Sequence, residues 1–178
     1  MTTPAHIAAG YIISKVAEIN NLVSNENATL FTACVLAGST LPDIDAFFGK
    51  NLNEHRNTLF HAPIMWLVLL GCLYVVGVIF HQTSLKVTST PLLLGILSHF
   101  FLDWYGARTS GVRLYYPFST YKYSLFPLRY EKGNVPVFPS KKHMKSYAAF
   151  WSYYANNRFL LISEIAVIIL GVIIFLLR

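Results

Sequence analysis

Residues 58–80 read TLFHAPIMWLVLLGCLYVVGVIF, and this stretch decides the fold class. It carries no Asp, Glu, Lys or Arg. At ~1.5 Å per residue a helix over it reaches ~34 Å, enough to cross a hydrocarbon core of ~30 Å. Four further helical segments flank it. Pro4–Leu22 opens with a proline suited to a first helical turn, and Ser14, Lys15 and Glu18 make it only semi-apolar. Ala28–Leu41 stops at Pro42 and is short for a span. Thr90–Tyr105 carries His99 and Asp103 near its end, and Phe159–Leu177 is strongly apolar with one acid, Glu164. The expected fold is all-α: a polytopic membrane helix bundle of four to five helical segments, forming a single domain over residues 1–178.

Composition agrees with the runs. Of 178 residues 54% are hydrophobic and only 12% charged, about half the usual charged share of a soluble domain. That excludes disorder, a coiled coil and most soluble folds. The first segment has no basic flank, and Lys15 and Glu18 interrupt it, so no cleavable signal peptide is expected. Cys34 and Cys72 each sit in an apolar run and are expected to be packed thiols, not a disulfide.

Charge sets the expected orientation. Residues 107–158 hold nine basic side chains and one acid, Glu131, whereas the rest of the chain holds five basic and seven acidic. The 106–158 segment also has eight of the eleven tyrosines. Interleaved cations and amphipathic rings suit the headgroup layer. The segment is expected to be a cytoplasmic interfacial loop with one helix near 141–156, and nucleic acid is not an expected partner. Counting spans back and forward from it places the N-terminus inside and the C-terminus outside. Residues 81–89 then form a short outer loop.

That orientation brings polar residues to one depth. His6 begins the first segment, Asp43 and Asp45 follow the second, His55 and His61 flank the start of the third, and His99 and Asp103 close the fourth. All four ends are expected on the cytoplasmic side. Alone, the LPDID carboxylates at Asp43 and Asp45 read more readily as an acidic loop or a cap of the next helix than as cation ligands. His99 and Asp103 share a helix face at i and i+4; they read as two ligands, as a ligand with its orienting carboxylate, or as an interhelical hydrogen bond. Together, ionisable groups at membrane depth are costly and tend to be functional. Four imidazoles and three carboxylates are about enough for a dinuclear site with open positions. His81 falls on the opposite face and His143 in the basic loop, so both are left out.

At these residues the chain resembles the YdjM-like family of bacterial inner-membrane, metal-dependent hydrolases, which includes LexA-regulated members. The resemblance covers most of Met1–Ser119. It rests on His6-Ile-Ala-Ala-Gly10, LPDID at 41–45, His55-Arg56 with His61, GILSHFFLDW at 95–104 and GVRLYYPFS at 111–119. Two departures stand out. The family's two histidines are commonly five apart in an HRGxTHS-like string; here they are six apart and Ala62 follows, leaving open which of His55 and His61 is a ligand. The family's DID is often followed by His; here Ala46 follows, removing a further ligand.

The expected function is a metal-dependent hydrolase of the bacterial inner (cytoplasmic) membrane, acting at the cytoplasmic interface on a lipid, another amphiphile or a phosphoester. The expected cofactor is a divalent ion: zinc, manganese or magnesium. Asp45 or Asp103 is the candidate general base. Arg56 and Arg113 are candidates for holding an anionic group, and snorkelling to the headgroups explains Arg113 equally well. Two alternatives stand beside this. One is a non-enzymatic transporter or scaffold with an ion-binding polar cluster. The other is a metal-free lipid phosphatase, from the HxxxD at His99–Asp103, although the Arg-containing signature that should precede it is missing.

Overall fold

The computed structural model describes residues 1–47, 58–106, 111–126 and 158–177. Among these the chain is helical, with five α-helices and two short 3-10 helices. The α-helices are α1 (Thr3–Ile19), α2 (Asn25–Thr40), α3 (Pro63–Ile79), α4 (Thr83–Gly106) and α5 (Arg158–Leu176). The 3-10 helices cover Leu41–Phe47 and Leu59–His61. α4 is the central element, packed on α2, α3 and α1, while α1 also packs on α2 and α5. His55, Arg56, His143 and the helix expected near 141–156 lie outside the described residues.

The element bounds differ from the expected ones for local reasons. α1 stops at Ile19, not Leu22, because Asn21 turns left-handed (φ 54°) and the Leu22 amide reaches back to the Ala17 carbonyl at 2.9 Å. Asparagine tolerates that conformation better than most residues. The long run at 58–80 is split. Pro63 disfavours helical backbone at the residue before it, so Ala62 is extended (φ −108°, ψ 105°) and α3 begins at Pro63. The preceding Leu59–His61 turn directs His61 sideways into the bundle, where it is fully buried.

The expected 81–89 loop is mostly helix. The turn between α3 and α4 is confined to residues 80–82, with His81 left-handed at φ 53°. Polar residues at the start of α4 satisfy themselves within the helix, as when the Thr88 hydroxyl donates to the Ser84 carbonyl at 2.7 Å. α4 also runs through Pro91, and hydroxyl side chains of this kind are one way membrane helices tolerate proline. It is therefore long enough to cross a membrane, as is α5, and α3 is a shorter apolar helix.

Glycines set the closest approach. A Cβ on Gly38 would lie 2.2 Å from the Leu92 carbonyl oxygen, and one on Gly95 would lie 2.1 Å from that of Val35. α2 and α4 thus cross backbone to backbone, as small residues allow between membrane helices. A core of Trp66, Leu70, Ile96, Phe100 and Val112 joins α3, α4 and the 111–126 segment. That segment folds back on α4: the Leu125 amide donates to the Trp104 carbonyl at 2.9 Å, and an isolated bridge pairs Val112 with Tyr123. Large apolar side chains face outward, among them Val68 (60% exposed) on α3 and Ile162 (66%) on α5. A lipid environment accounts for an apolar exterior of this extent. Both cysteines are free; Cys34 is half-buried and Cys72 is exposed on α3.

Candidate metal centre

Five of the expected site residues converge at one end of the bundle. His6 lies in the first turn of α1, Asp43 in the 3-10 helix after α2, His61 in the turn before α3, and His99 and Asp103 in the last turns of α4. The three histidines and Asp103 are fully buried. His61 Nε2 lies 3.6 Å from Asp43 Oδ1 and 3.7 Å from Asp103 Oδ2. His99 Nε2 lies 3.6 Å and 3.8 Å from the same two oxygens. The His6 ring stacks on that of His99 at 3.9 Å between centroids, and its Nε2 is 3.5 Å from Asp103 Oδ1.

The partners behind these groups fix their chemistry. His99 Nδ1 meets the Ser39 carbonyl at 2.9 Å. A carbonyl only accepts, so Nδ1 carries the proton and Nε2 is left with its lone pair. The glycine crossing of α2 and α4 is what brings His99 this close to Ser39. His61 Nδ1 meets Asp45 Oδ2 at 2.8 Å, and the Thr58 hydroxyl donates to the same oxygen. Asp45 therefore stands behind His61, and not beside Asp43 and Asp103 at the centre. Both imidazoles are held through Nδ1 with Nε2 turned to the same carboxylate oxygens, the arrangement by which carboxylates and carbonyls orient metal-binding histidines.

Electrostatics at the mouth of the cluster oppose one another. Burial disfavours the His61 cation, but the adjacent Asp103 and Asp45 carboxylates favour it more, and its pKa lies above the usual histidine value. Asp103 also pairs with the Met1 ammonium at 2.5 Å. Among the described residues, both nitrogens of His6 and Nε2 of His99 are buried without a hydrogen-bond partner. A buried polar group left so costs about 1–3 kcal/mol. These atoms belong to two overlapping triads with ligand atoms within 4.8 Å of one another: His6, Asp43 and His99, and His61, His99 and Asp103.

The donor set fits a divalent ion. Nε2 of His61 and of His99 each lie 3.6–3.8 Å from Asp43 Oδ1 and Asp103 Oδ2, and imidazole nitrogen and carboxylate oxygen are donors of the kind zinc takes. Because His99 offers a single Nε2, the two triads cannot both be filled through it.

Sequence reading missed the Ser39 carbonyl, which no side-chain motif reports, and the place of Asp45 behind His61. It also passed over Glu164, buried on α5, whose Oε1 accepts from the Thr2 amide at 3.0 Å and so ties α5 to the start of α1. Arg113 lies over the Tyr116 ring at 5.7 Å. His81 sits at the far end of α3 from His61, as expected.

An all-helical bundle, apolar outside and holding buried histidines and aspartates at one end, defines a polytopic membrane protein with an internal polar centre. The chain belongs to the YdjM inner membrane protein family, whose sequence profile matches residues 1–178, its whole length. No curated protein and no solved structure matches it.

Proposed function

We propose that this protein is a metal-dependent hydrolase working at the cytoplasmic face of the inner membrane on a lipid or other amphiphilic phosphoester. One observation carries the reading: His61 and His99, each held through Nδ1, turn Nε2 toward the same oxygens of Asp43 and Asp103. His61, His99, Asp43 and Asp103 hold the ion, with His6 beside it, and Asp45 orients His61. When bound, the ion supplies Lewis acidity, polarising a scissile bond and acidifying water. The remaining work falls to the chain. The apolar core around Phe100 and Trp66 limits water on one side, and Arg56 is the candidate grip on an anionic headgroup.

Metal analysis of the detergent-purified chain tests this. The wild type should hold about one divalent ion per chain and hydrolyse a phosphoester in an EDTA-sensitive way. His99→Ala should lose both. Absence of bound metal in the wild type after metal-replete purification would remove the reading.

A second reading, ion or proton carriage without hydrolysis, has one observation in its favour. Lys15, nearly buried, pairs with Glu18 at 2.7 Å, and Glu18 also accepts from Thr32 at 3.0 Å. This places a second polar group ~14 Å along α1 from His6. Metal-dependent turnover by the purified protein favours hydrolysis; vesicle uptake without turnover favours carriage.

A further inference from the structure

An apolar groove of about 290 Å³ runs between α1 and α4. Its walls are Ala9 and Ile13 from α1 and Leu94, Leu97 and Phe101 from α4, with Leu102 at one end. The lining hydroxyl, Ser98, donates to the Gly95 carbonyl at 2.7 Å, so its proton is taken up within its own helix. The groove opens to the outside of the bundle, where Leu97 is 41% and Phe101 57% exposed.

Its position relative to the metal centre is the informative feature. Ala9 and Ile13 follow His6 by three and seven residues and share its face of α1. Leu102 follows His99 by three on α4. One end of the groove therefore lies within a turn of the stacked His6 and His99 rings. From Leu102 to Leu94 it extends ~12 Å along α4, away from the polar end and toward the middle of the helices.

We propose that this groove receives one acyl chain of a membrane lipid whose polar headgroup lies at the His/Asp centre. The assignment rests on the hydrolase reading only in calling that lipid the substrate. A lipid of the leaflet next to the polar end has its headgroup at the interface and its chain directed inward, and the groove has the same polarity. Its walls offer methyl, methylene and ring carbon and no charge. A soluble phosphoester has no part that such walls recognise.

The test uses the full chain in nanodiscs containing a phospholipid with a diazirine in the middle of one acyl chain. After irradiation, labelling should concentrate on Ile13, Leu97 and Phe101 over the outer face of α3 at Val68 and Val75, which is at least as exposed on the whole. Ala9→Leu and Leu97→Trp both fill the groove, and each should lower that labelling several-fold while leaving bound metal and α3 labelling unchanged. Equal labelling of the two faces, or no response to either variant, overturns the proposal and means that ordinary bilayer or another helix fills the groove. The two readings separate in the same material. His99→Ala should lose metal and keep groove labelling. Selective labelling of a wild type that holds no metal would sustain the groove and end the hydrolase reading.

Discussion

At the scale of single residues, a cation bound as proposed would compete with a proton for His61. The carboxylates of Asp45 and Asp103 outweigh burial and raise its pKa, so the metal-free ring keeps its proton to a higher pH than an ordinary histidine. A metal ligand must be neutral. Metal binding should therefore release a proton and weaken as pH falls through the raised His61 value. Calorimetry in buffers of different ionisation heat measures the release directly. Asp45→Asn keeps an acceptor for Nδ1 but removes the charge. It should lower metal affinity by about 10–100-fold, the usual range for an orienting partner, and release fewer protons on binding. An unchanged affinity and pH profile would make Asp45 structural. Asp43→Asn should lose the ion outright while still inserting, and His81→Ala, at the far end of α3, should keep it.

Among the helices, the α2–α4 crossing places His99. Gly38 and Gly95 let the two backbones approach within limits that no side chain meets, and one turn beyond Gly95 the His99 ring reaches the Ser39 carbonyl. Gly95→Leu should force the helices apart. Overpacking typically costs about 1–3 kcal/mol, and here the displaced His99 should also lose its hold on metal. Gly71 in α3 has open space where a Cβ would stand, so Gly71→Ala should leave both metal content and thermal stability intact or slightly improved. Thermal unfolding in detergent and metal analysis of the two variants check this. Equal behaviour of the two variants would show that the crossing does not control the centre. The same scale explains the revised bounds of α4. Its polar first turns look like a loop in sequence, yet Thr88 and its neighbours bond back to their own helix, and the chain stays helical through Pro91.

For the molecule as a whole, the excess of eight positive charges over residues 107–158 carries the proposed orientation: this segment and the His/Asp centre in the cytoplasm, the C-terminus outside. Reporter fusions after Arg178 and within 140–146 check it. A cytoplasmic C-terminus together with an outer basic segment would reverse the topology and move the centre to the other face. The five helices and the shared end of His6, Asp43, His61, His99 and Asp103 were legible because alternating spans place every second connection on one side. That inference needed only segment order and charge, not the rotation of any helix.

The sequence alone determined that the chain is an apolar helical bundle of this family, and that His6, Asp43, His61, His99 and Asp103 sit at matching helix ends. Hydropathy encodes how long a helix is and where it stops. It does not encode which way a helix facing lipid is turned, because such a helix is apolar on nearly every side and shows no strong stripe. Only the tertiary structure decided the rotations: Asp45 behind His61, a backbone carbonyl behind His99, His6 stacked on His99, and a groove beside them. Each depends on contacts at 2–4 Å between elements far apart in the chain, and these are set by close helix crossings such as Gly38–Gly95.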